Sequence, residues 1–222
     1  LLCFAWLVNP FVIFVSSIHS LSDPLPVFFT LLAVYFLLKN KSMHSFISLS
    51  ISACLKYYAL FLFPLFAFYF WRKSSLREKI FSALSSVIIA VVNFAPVAFD
   101  PVLRDQLFQS IAFYSTGTIR VISRPWSLWH YFITKGILTY PFVLAYLFWL
   151  SFIPFYILIM IFLLFDYKKQ KLKDLHVFVY IAIILLSIPL LNPFSDPQWL
   201  LWALPFLMYI SLMAKRFGSL VS

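Results

Sequence analysis

Long apolar runs separated by short polar gaps set the pattern of this chain. The runs are apolar around the whole helical circumference, so their ends carry more information than their faces. A helix needs about 20 apolar residues to cross a bilayer, fewer where the bilayer thins. On that rule the pattern predicts spans over Leu1–Ile18, Pro24–Leu38, Ile80–Phe99, Ile137–Phe165, Leu175–Leu191 and Trp199–Ala214. The expected fold is all-α: a polytopic transmembrane helix bundle with short outer-side helices, one transmembrane domain over 1–222. The chain opens at Leu1 already apolar, and is read as the carboxy-terminal part of a longer protein.

Charge orients the spans. Lys39/Lys41, Arg72/Lys73/Arg77/Lys79, Lys168/Lys169/Lys171/Lys173 and Lys215/Arg216 fill alternate gaps, twelve cations against Glu78, Asp166 and Asp174. Lys56, Arg104, Arg120, Arg124 and Lys135 face Asp23, Asp100, Asp105 and Asp196 in the other gaps, where the charges nearly cancel. Short loops rich in Lys and Arg stay in the cytoplasm, so the first set is expected inside and the second outside.

Ser45–Trp71 does not fit a single crossing, because both of its ends abut gaps of the first set. Two short helices are expected instead, with Lys56-Tyr57-Tyr58 at the turn near the outer surface, since a lysine at the bilayer centre costs about 2.5–3.5 kcal/mol or more. Pro10, Pro64, Pro141, Pro154 and Pro205 fall in or near the starts of apolar runs and are expected to kink them. Between Asp100 and Lys135, Leu103, Leu107, Phe108 and Ile111 alternate with Arg104, Asp105, Gln106 and Gln109 as in an amphipathic helix lying along the membrane.

Composition removes several function classes. The chain is 64% hydrophobic with a net charge of +10, and holds 3 Gly in 222 residues. That leaves no glycine-rich phosphate loop, no dinucleotide fingerprint and no small-residue helix-dimer motif. The basic balance reports membrane orientation, not nucleic acid, and membrane lipids are the expected surroundings. Cys3 and Cys54 sit in apolar runs and imply no disulfide framework. His19, His44, His130 and His176 lack metal-ligand spacing, so a divalent metal ion held by carboxylates is the one cofactor left open.

Polar side chains from separate segments are expected to converge on the outer side: His19, Ser20, Ser22 and Asp23; Lys56 with Tyr57 and Tyr58; Arg104, Arg120 and Arg124; then Asn192, Ser195, Asp196 and Gln198, with Trp199 beside them. Each has a plainer role available. Asp23 can cap a helix starting at Pro24, Lys56 can snorkel, either arginine can hold lipid phosphate, and the aromatics can be interfacial anchors. Together they suit a ligand with anionic phosphate, sugar hydroxyls and a lipid tail.

The order of local motifs carries a resemblance. Trp6-Leu7-Val8-Asn9-Pro10 leads to His19-Ser20-Leu21-Ser22-Asp23, then to Val34-Tyr35-Phe36-Leu37, Leu55-Lys56-Tyr57-Tyr58 before Pro64, and Asp196-Pro197-Gln198-Trp199-Leu200-Leu201-Trp202 ahead of Pro205. In this the chain resembles the membrane-embedded GT-C glycosyltransferases that use polyprenyl-phosphate sugars, above all the GPI mannosyltransferase I family and its prokaryotic relatives. The resemblance implies transfer of a sugar, mannose first among them, from a polyprenyl-phosphate donor to a glycan, lipid or protein acceptor on the non-cytoplasmic side. The membrane would be the plasma membrane of a prokaryote or the endoplasmic reticulum, with a partner subunit allowed. Lys56, Arg120 and Arg124 would hold phosphate, and Asp23 and Gln198 would orient sugar or acceptor. The general base of such enzymes lies in an early outer loop, which places it upstream of Leu1 and leaves Asp23 as the catalytic candidate within the chain. A secondary transporter or lipid flippase, and a noncatalytic subunit of a membrane complex, are the alternatives.

Overall fold

The computed structural model describes residues 24–71, 73–105, 135, 141–169, 174–191 and 197–221. Among them it is all-helical. The elements are α1 (Pro24–Leu38), α2 (Ser42–Leu55), a 3-10 helix Tyr57–Leu62, α3 (Phe63–Trp71), α4 (Leu76–Phe99), α5 (Pro141–Lys168), α6 (Asp174–Leu191), a second 3-10 helix Pro197–Trp202, and α7 (Leu204–Val221). The expected Leu1–Ile18 span lies outside the described residues.

Among the described residues two helices are long and apolar enough to span a membrane, α4 and the Leu150–Lys168 part of α5. The others are shorter; α1 has 15 residues, about 22 Å at 1.5 Å per residue. The α4 helix starts a turn before the expected Ile80. Ser75 Oγ accepts from Glu78 N at 3.3 Å while Glu78 Oε2 accepts from Ser75 N at 2.8 Å, a reciprocal cap that apolarity alone does not reveal. The single span expected over Trp199–Ala214 is divided at Ala203. Pro205 has no N–H to continue a helical ladder, so it sits in the first turn of α7, where none is required. Pro64 and Pro141 likewise fall at helix starts, correcting the expected kinks there, whereas Pro154 is inside α5.

The α1–α2 turn is closed by Asn40 at φ 55, with Lys41 N donating to Phe36 O at 2.9 Å and Asn40 N to Leu37 O at 3.0 Å. This is the left-handed helix stop that Asn tolerates. The two helices then pack antiparallel through a serine face, Ser42, Ser45, Ser48 and Ser52, all buried. Ser45 Oγ donates to Ala33 O and Ser52 Oγ to Pro26 O, each at 2.8 Å, seven residues forward on α2 matching seven back on α1. Serine thus supplies the close approach that the scarcity of glycine argued against, and hydroxyls add hydrogen bonds that glycine could not.

The chain reverses after α2. Phe46, early in α2, packs against Phe63 and Phe70 of α3 with ring centroids 5.9 and 6.0 Å apart. Continuing helix would separate Phe46 from Phe70 by about 36 Å. The α5 helix runs parallel to α3, since Phe61 meets Phe152 at 4.7 Å and Phe68 meets Tyr167 at 6.1 Å. Tyr156 OH adds a 2.8 Å bond to Phe61 O. The α6 helix turns back along α5, with Tyr180 OH donating to Asp166 Oδ2 at 2.8 Å. Finally Phe178 stacks on Tyr209 at 4.0 Å, so α7 runs antiparallel to α6.

These directions sort the charges. Lys39 and Lys41, Lys73, Arg77 and Lys79, and Lys168 and Lys169 all lie at one end of the bundle, and the backbone of α7 carries residues 215 and 216 toward it. Lys56, the second 3-10 helix and Asp100 lie at the other.

Candidate functional site

The site is built on the break between α2 and the first 3-10 helix. Lys56 is extended, φ −152 and ψ 132, and its N–H still bonds Ser52 O at 2.8 Å. No proline or glycine forces this break. Tertiary contacts do, through Tyr58, which is fully buried. Its hydroxyl lies 3.2 Å from Thr30 Oγ1, which is itself 2.8 Å from Ser52 Oγ, and Pro26 O, 2.9 and 2.8 Å from these two hydroxyls, accepts from whichever of them does not donate to the other. A buried hydroxyl left without such partners costs about 1–3 kcal/mol, so the network fixes where the chain must turn.

The other face of Tyr58 stacks on Trp202 at 4.3 Å and 21°. Trp202 is 1% exposed and stacks in turn on Trp199 at 5.1 Å and 15°. Tyr57, 43% exposed, stands edge-on to both indoles at 6.5 and 6.3 Å. Lys56 Nζ lies 5.6 Å from the Trp202 ring centroid, within cation–π range. Four aromatic rings and one ammonium therefore meet where α2 and α6 end.

Of the expected site residues, Lys56, Tyr57 and Trp199 come together here. Gln198 belongs by its backbone to the same 3-10 helix as Trp199, and its side chain lies outside the described residues. His19, Asp23, Arg120 and Arg124 lie outside them too, as do Asn192, Ser195 and Asp196. Arg104 is exposed in a helical turn over 101–105, which Asp100 caps through Oδ1 to Val102 N at 2.8 Å. This turn begins where the amphipathic helix is expected, and the remainder of that segment is not among the described residues. Compared with protein-family models, curated proteins and solved structures, the chain matches none of them.

Tyr58 belongs to the expected outer-side cluster as well; Trp202 is the member that the sequence pattern does not single out. A signal existed: Trp199 and Trp202 are one helical turn apart, opposite a Tyr-Tyr pair. Among the described residues no three His, Cys, Asp or Glu side chains gather to hold a metal ion. An apolar groove of about 310 Å³ opens between α2 and α4, lined by Ile51, Cys54, Leu55, Ile88, Ile89, Val92 and Asn93. It abuts the last turn of α2, immediately before Lys56.

Chemically, the cluster offers one cation backed by a polarizable indole, beside a partly exposed phenol. A cation in such a place binds phosphate oxygen, and flat aromatic faces take the C–H surfaces of a sugar or an isoprenoid.

Proposed function

We propose that the chain is part of a multi-pass membrane glycosyltransferase that moves a sugar, mannose in the first instance, from a polyprenyl phosphate to an acceptor on the non-cytoplasmic side. The observation that carries this reading is the Lys56 ammonium over Trp202 within the Tyr57, Tyr58 and Trp199 rings, at the end of the bundle opposite the basic turns. The charge rule puts the basic end in the cytoplasm and the aromatic site at the outer headgroup level, where Trp and Tyr rings sit well.

In this reading Lys56 meets the donor phosphate. The acceptor hydroxyl attacks the anomeric carbon as a carboxylate takes its proton, and the bond to the lipid phosphate breaks with inversion. Lys56 stabilises the charge that grows on the departing phosphate, a contribution larger in the leaving group than in the donor. The groove between α2 and α4 gives the isoprenoid tail an apolar berth leading away from that phosphate. Arg120 and Arg124 assist at the phosphate, and Asp23 and Gln198 orient the sugar or acceptor.

Membranes containing the full-length gene product, incubated with radiolabelled polyprenyl-phosphate mannose, are expected to label a lipid, glycan or protein acceptor. Labelling no greater than in membranes without the protein would count against mannosyl transfer.

A further inference from the structure

We propose that the turn joining α3 to α4, at the end opposite the aromatic site, binds the headgroup of an anionic phospholipid. The inference does not depend on sugar transfer. The last turn of α3 and the first of α4 hold three cations against rings. Lys73 Nζ is 3.8 Å from the Tyr69 ring centroid, Lys79 Nζ is 4.9 Å from that of Trp71, and the Arg77 guanidinium is 5.5 Å from that of Phe81. These contacts hold Lys73 back along α3 and Arg77 forward along α4, and carry Lys79 across to the end of α3.

The carboxylates at this end, Glu78, Asp166 and Asp174, are outnumbered by its described cations, Lys39, Lys41, Lys73, Arg77, Lys79, Lys168 and Lys169. Glu78 is occupied in its own helix cap, accepting from Ser75 N at 2.8 Å and from Ser75 Oγ at 3.2 Å. Asp166 accepts from Tyr180 OH at 2.8 Å.

What distinguishes a lipid from a soluble anion is the surface beneath the turn. Leu76, Ile80, Leu84 and Ile88 recur every four residues down α4 and are 73%, 57%, 50% and 52% exposed. They form an apolar stripe about 18 Å long on a helix able to span a membrane. Trp71, 63% exposed, stands at the head of that stripe, where an indole sits at headgroup level. A cationic turn above an apolar track fits one occupant: phosphate against Lys79 and Arg77, with an acyl chain along α4. Interfacial cations attract anionic lipid by about fivefold each.

The test uses the full chain in bicelles of phosphatidylcholine doped with brominated phosphatidylglycerol or brominated phosphatidylcholine. Bromine quenches nearby indole emission, and the Trp71→Phe variant isolates the contribution of Trp71. The Trp71 emission is expected to reach half-quenching at an anionic mole fraction several-fold lower than the zwitterionic one. Arg77→Gln with Lys79→Gln should abolish that preference, whereas Lys79→Arg keeps it and shows that substitution at this turn is tolerated. Soluble glycerol phosphate should not restore Trp71 emission; restoration would mean an anion site without lipid selectivity and would overturn the proposal. Equal quenching by both lipids, or a preference that survives the double substitution, would also overturn it.

Discussion

On the proposed sugar-transfer reaction, Lys56→Ala should lower the rate by about a hundredfold or more, while the protein remains in the membrane at its normal level. The magnitude is that of removing one preorganised partner from a developing anion. The fold should survive because the turn is fixed by other groups: Tyr58 buried against Trp202, and the bonds among Thr30, Ser52 and Pro26. Lys56→Arg keeps the charge but spreads it over a larger fork, so an intermediate loss is expected. Initial rates of label transfer, read against membrane-bound protein on the same samples, check this. Full activity in Lys56→Ala would remove Lys56 from the site.

Trp202→Ala should be the most destabilising single change in the described part of the chain. Trp202 is the largest fully buried side chain among the described residues and touches Tyr57, Tyr58 and Trp199 at once. Truncating a buried Trp to Ala costs about 3–5 kcal/mol in water-soluble cores. Within a bilayer the transfer part of that cost shrinks, because lipid is also apolar, and the lost packing contacts remain. A loss of about 3 kcal/mol is therefore expected, read as a lower unfolding midpoint in detergent micelles. The change should also release Lys56 from its indole support and lower transfer with it. Trp199→Ala, at a less buried position, should cost less stability, and a larger loss there than at Trp202 would contradict the stacking order.

Much of this arrangement is legible from charge and hydropathy. The reversal at Lys56 follows from the cost of a lysine in mid-bilayer and from basic gaps on both sides of Ser45–Trp71, with no helix breaker at the turn itself. The sequence places the beginning of α1 at Pro24 and the end of α6 at Leu191, as observed. Other features depend on contacts that a linear reading does not weigh. Thr30 and Ser52 are 22 residues apart, and their bond belongs to the packing of two helices whose serines look merely polar along the chain. The division at Ala203 lies within an unbroken apolar run, where hydropathy cannot separate a 3-10 turn from α-helix. The early start of α4 was visible in Ser75 and Glu78, but only to a reading of caps rather than of apolarity. Lys56, Tyr57 and Trp199 were each chosen from sequence; Trp202, which holds them together, was not, because a tryptophan in an apolar run looks like any other lipid-facing residue.

Sealed vesicles carrying single cysteines at Asn40→Cys, Tyr57→Cys or Ser74→Cys, with Cys3 and Cys54 replaced, put the central claim to its most direct test. If the chain turns back at Lys56 and keeps its basic turns on one side of the membrane, a membrane-impermeant maleimide labels Asn40→Cys and Ser74→Cys from the same side and Tyr57→Cys from the other. Labelling of Asn40→Cys and Ser74→Cys from opposite sides would mean that the segment crosses once, and would contradict the account.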